Sequence, residues 1–89
     1  MNEVIEKIIN QWDPVGLFPG APQDEYNDEI NSIYLFTKNN KNLTIESLED
    51  EIYKIFIKSF GEDIFALKKE DCRNVAAAII KEMKNHLVN

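Results

Sequence analysis

The chain predicts an all-α fold, a compact bundle of four helices, from three observations. Four stretches repeat apolar residues at intervals of three and four. No stretch alternates apolar and polar residues over the length of a strand. The breaks between the stretches fall where proline, glycine and asparagine gather. With 89 residues, the chain is one helical domain over 1–89. A chain this short buries only about two-thirds of its unfolded surface.

The first helix runs from about Asn2 to Trp12. Val4, Ile5, Ile8, Ile9 and Trp12 share one face, and Glu3, Glu6, Lys7 and Asn10 the other. A stiff double turn follows. Asp13-Pro14-Val15-Gly16 has Asp, Pro and Gly where a type I turn wants them. Pro14 disfavours helical geometry at Asp13, so the first helix should stop at Trp12. The Asp13 carboxylate can accept a backbone N–H two residues on and lock the turn. Phe18-Pro19-Gly20-Ala21 suits a type II turn. Pro22 suits the first turn of a second helix, and Asp24 and Glu25 suit its positive dipole end. The rigid Pro/Gly connector therefore joins the first two helices over apolar Trp12, Val15, Leu17 and Phe18.

The second helix is expected from Pro22 to about Lys38. Tyr26, Ile30, Ile33, Tyr34 and Thr37 form its core stripe, with both tyrosine hydroxyls able to reach the surface. On the opposite face Asp24, Asp28, Asn31 and Leu35 line up as an acidic ridge ending in an apolar residue. Thr44 is the expected N-cap of a third helix, with Leu43 and Leu48 as a hydrophobic staple. Ile45, Leu48, Ile52, Ile55, Phe56 and Phe60 form its stripe, and Gly61 stops it. Tyr53 and Ile57 widen that face, so this helix either sits centrally or offers a weak homodimer contact. Ile64, Phe65 and Leu67 must then anchor somewhere apolar. The fourth helix runs from about Lys69 to Leu87 on Cys72, Ala76, Ile79, Ile80, Met83 and Leu87, flanked by Val75 and His86.

Two segments carry a resemblance. Trp12-Asp13-Pro14-Val15-Gly16-Leu17 and Ala21-Pro22-Gln23-Asp24-Glu25-Tyr26, followed by Glu29-Ile30, resemble the signature of the YugE-like domain-of-unknown-function family of small Bacillus-group proteins. Similar segments occur in small immunity-like proteins of toxin–immunity systems. The first resemblance implies a bacterial protein of this length and helix count, and the family has no assigned activity. The second implies a toxin domain, such as a nuclease, as the partner.

Composition narrows the classes. Apolar residues at 44% and charged residues at 29% suit a folded soluble domain. A net charge of −6 argues against nucleic acid and anionic membrane surfaces, and permits a basic protein partner. Cys72 is the only cysteine, which suits a reducing cytoplasm. The segment Met1 to Gln11 carries Glu3, Glu6 and Lys7, so it is not a signal peptide. No apolar run approaches the ~20 residues of a membrane span. Residues 1–50 hold ten acids and three bases, and residues 51–89 hold six acids and seven bases, so the acidity lies with the double turn and the second helix.

Catalytic chemistry finds little purchase. Cys72 lies on an apolar helix face and has no plausible base. Asp24, Glu25, Asp28 and Glu29 form a solvated acidic face rather than a metal site, because no second ligand cluster accompanies them. The only His is His86, on another helix. Phosphate-cradling glycine loops and nucleophile elbows are lacking. Lys68, Lys69 and Arg73 form a small basic spot at a helix start. Trp12, Asp13, Pro14, Gly16, Pro22 and Tyr26 are structural.

Two functions follow as expectations. The first is a non-enzymatic protein-binding module, without cofactor or metal, that presents Asp24, Asp28, Asn31 and Leu35 to a basic partner. The alternative is a regulatory or accessory protein that binds a small ligand or metal in a pocket beside the double turn.

Overall fold

The computed structural model of the protein describes residues 2–16, 20, 25–65 and 67–88, and of 86–88 the backbone alone. Four helices follow one another: α1 (Asn2–Trp12), α2 (Asn27–Asn39), α3 (Ile45–Phe60) and α4 (Arg73–Val88). A single 3₁₀ turn at Lys69–Cys72 leads into α4. Among the described residues there is no strand, so the fold is the all-α bundle of four helices. The helices pack in a ring, α1 on α2, α2 on α3, α3 on α4 and α4 back on α1. Side chains fill the middle. Ile5 and Ile9 meet Ile33, Leu48, Ile52, Phe56 and Ile79 in one buried cluster.

α1 ends where Pro14 dictates. The Asp13 N–H makes a last bond to the Ile9 carbonyl at 2.9 Å, and the Gly16 N–H closes the turn on the Asp13 carbonyl at 3.0 Å. Asp13 has φ 46° and Gly16 φ 72°. Left-handed backbone is tolerated by aspartate and free of strain for glycine. Leu17, Phe18, Pro19, Ala21, Pro22 and Asp24 lie outside the described residues, and with them most of the expected second turn.

α2 begins at Asn27, five residues after Pro22 where the sequence suggests its start. Glu25 and Tyr26 are in a turn. Tyr26 stands just outside the helix with φ −99° and ψ 12°, and its carbonyl takes the first helical bond, from Ile30 N–H at 2.8 Å. The reason is its side chain, which turns inward and is fully buried.

α3 starts as expected at Thr44. The Ser47 N–H donates to Thr44 Oγ1 and the Thr44 N–H donates to Ser47 Oγ, both at 3.0 Å. Serine thus completes a capping box usually closed by Glu or Gln. Gly61 caps the far end at φ 80°, its N–H on the Ile57 carbonyl at 2.8 Å. The wide face of α3 is covered because α2, α4 and the 3₁₀ turn all pack on it. Ile45, expected in the stripe, is 40% exposed at the first position of the helix.

The chain then doubles back. Phe65 is buried and stacks on Phe56 at 5.4 Å, with Tyr53 edge-on at 5.9 Å. Farther on, Lys69 Nζ reaches Asp50 at 3.3 Å and Arg73 Nε donates to Glu49 at 2.9 Å. The 3₁₀ turn and α4 therefore set off beside the early turns of α3. The eight residues between Phe60 and Lys69 can span about 27 Å when extended, enough to run the roughly 24 Å length of α3. Turning Phe65 inward leaves its neighbour Ile64 exposed, against the expectation that it anchors.

Candidate functional site

The turn after α1 and the start of α2 meet at one hydroxyl. Tyr26 Oη donates to Asp13 Oδ1 at 2.7 Å and accepts the Val15 N–H at 3.2 Å. The lock expected of Asp13 alone thus runs through Tyr26, whose hydroxyl points inward and not to the surface. The Tyr26 ring meets Phe56 edge-on at 5.9 Å and Phe60 at 6.1 Å. Trp12 is half-buried and edge-on to Phe56 at 5.6 Å and to Phe65 at 6.2 Å. Such pairs add to the value of the buried area. Trp12, Asp13, Gly16 and Tyr26 are thereby brought into one structural joint, while Pro22 lies outside the described residues.

The exposed face of α2 carries Asp28, Asn31 and Leu35, which share a side at helical spacing, and Leu35 is 46% exposed. Asp24, expected at the head of this ridge, lies outside the described residues and precedes the helix. The face continues onto α1. Asn2 and Glu6 line a shallow groove of about 340 Å³ with Asn27, Asp28 and Asn31. Two carboxylates and three amides thus share one groove.

Glu29 departs from the acidic face to which the sequence assigns it. It is buried, because positions 29, 33 and 37 share the inward side of α2. Its Oε1 has no hydrogen-bond partner among the described residues. The basic spot differs as well. Lys69 and Arg73 are engaged by α3 acids, and Asp50 also holds Lys54 at 2.8 Å. The Lys54 and then the Lys69 hydrogen bonds hold the Asp50 carboxyl below its usual range. The Glu49 hydrogen bond and charge raise the Arg73 guanidinium.

Burial, followed by the charges of Asp71 and Glu49, pushes the Cys72 thiol up to about 12. At neutral pH it is a protonated core side chain, not a nucleophile. Among the described residues, no group of three or more His, Cys, Asp and Glu side chains could hold a metal ion. No described helix is long and apolar enough to cross a membrane.

The family described as Domain of unknown function (DUF1871) matches residues 4–86, which is almost the whole bundle. The chain belongs to that family. No curated protein and no solved structure matches it.

Proposed function

We propose that the chain is a non-enzymatic, cytoplasmic protein-binding module that offers the acid- and amide-rich face of α1 and α2 to a basic protein. One observation carries this reading. Leu35 stands 46% exposed on the same side of α2 as Asp28 and Asn31, an apolar anchor in a polar surround. The net charge of −6 and the acidity of residues 1–50 suit a basic partner. Complementary charge speeds encounter and sets orientation more than it sets affinity. The resemblance to small immunity-like proteins fits a bacterial toxin domain in that role.

Capture of the partner from the native cell, identified by mass spectrometry, opens the test. Asp28→Lys should then slow association at low salt, and the loss should shrink as salt rises, because exposed charges are screened beyond about 8 to 10 Å. Leu35→Ala should speed dissociation. Unchanged association by Asp28→Lys at low salt would make the acidic face a solubility feature only.

A further inference from the structure

A second surface, away from the exposed side of α2, has the opposite charge. Where α1 packs on α4, a cavity of about 430 Å³ opens to solvent, lined by Val4, Lys7, Ile8, Gln11, Ala78, Lys81 and Glu82. Ligand pockets commonly enclose about 300 to 1,000 Å³, apolar over most of the wall with a few polar groups that fix orientation. This one matches in size and in division of labour. Val4, Ile8 and Ala78 supply the apolar wall, and Lys7, Lys81 and Gln11 supply hydrogen-bond donors.

Two lysines supply its charge. Among the described residues neither Lys7 nor Lys81 has an ion pair, whereas Lys54, Lys69 and Arg73 are each held by an acid of α3. In a chain of net charge −6, two uncommitted cations therefore flank one apolar hollow. Glu82 on the same wall leaves room for one negative charge rather than two.

The geometry points to a binding site between α1 and α4 for a small amphipathic monoanion, a carboxylate with an unbranched apolar body. Its head lies between Lys7 and Lys81, and its tail lies over Val4, Ile8 and Ala78. This site is independent of the proposed protein-binding face and does not require a partner.

Octanoate and octanol carry the same tail with and without the charge. Amide NMR shifts and the fluorescence of Trp12, the neighbour in sequence of Gln11 in the cavity wall, report their binding to the intact protein. Saturable octanoate binding in the millimolar range or tighter is expected, with shifts confined to α1 and α4 and with octanol weaker. Lys7→Gln with Lys81→Gln should weaken octanoate by at least about tenfold, the usual effect of removing charge-assisted hydrogen bonds. Ala78→Leu should fill the hollow and abolish binding with the helix content retained. No saturable octanoate binding, equal binding of octanol, or an unchanged affinity in the double lysine variant would overturn the assignment.

Discussion

The connection between α1 and α2 and the connection between α3 and α4 are fastened by different chemistry. In the first, a buried tyrosine hydroxyl ties Asp13 and the Val15 N–H to the head of α2. In the second, a phenylalanine ring is pressed on Phe56, and beyond it Arg73 and Lys69 engage Glu49 and Asp50. One is a joint held by directional hydrogen bonds. The other is a return along α3 held by apolar area and then by charge at the rim. Both converge on Phe56, which touches Trp12, Tyr26, Phe60 and Phe65. In a small bundle with little core to spare, each connection therefore contributes a large aromatic to the same cluster.

The largest expected losses come from those aromatics. Phe65→Ala removes a fully buried ring and should cost about 3 to 5 kcal/mol, the usual range for such truncations. Trp12→Ala, starting from a half-buried ring, should cost about 3 kcal/mol, the lower end of that range. Urea unfolding midpoints decide both. An unchanged midpoint for Phe65→Ala would mean that the return is not anchored on α3.

Arg73→Gln comes next. It leaves the Glu49 carboxylate, only 5% exposed, without its cation, and a lone buried charge is destabilising. The melting temperature should fall, and Arg73→Lys should recover part of the loss. Equal melting of wild type and Arg73→Gln would show that the pair fastens nothing.

The smallest effect belongs to the rim. Asp50 has a folded-state pKa below its ordinary value of 3.8, so its contribution is present above that pH and is lost as pH falls through the lowered value. Because the residues are exposed, the effect should be slight and should fade with salt. Asp50→Asn should lower the neutral plateau slightly and leave the stability at the acid end unchanged, so that the acid limb below pH 3.8 flattens. A loss of the same size at neutral and at acid pH would place the value of Asp50 elsewhere.

The two connections also differ in how far the sequence discloses them. Pro14 and Gly16 announce the first turn, because proline fixes φ and glycine admits a positive φ wherever they stand. Thr44 and Gly61 announce the ends of α3 for similarly local reasons. Tyr26 is harder to place. Helical spacing puts it on the inward stripe, but only the fold brings Asp13 within reach of its hydroxyl. The return along α3 has no local signature at all, since Glu49–Arg73 joins residues 24 apart. Helical spacing also leaves Glu29 and Glu49 ambiguous, because charged residues at core positions look like breaks in a stripe. On the candidate binding face, the exposed run of Asp28, Asn31 and Leu35 follows from spacing alone. The α1–α4 hollow depends on how two helices meet, which no single helix records.

The Tyr26 hydroxyl and the Asp13 carboxylate hold the α1–α2 joint together. A double-mutant cycle of Tyr26→Phe and Asp13→Gly measures it directly. Glycine removes the acceptor without strain at the positive φ of Asp13, and common background effects cancel in the cycle. The expected coupling is about 1.5 to 3 kcal/mol, as for other hydrogen bonds to charged groups. A coupling indistinguishable from zero, with the two single losses simply adding, would contradict it.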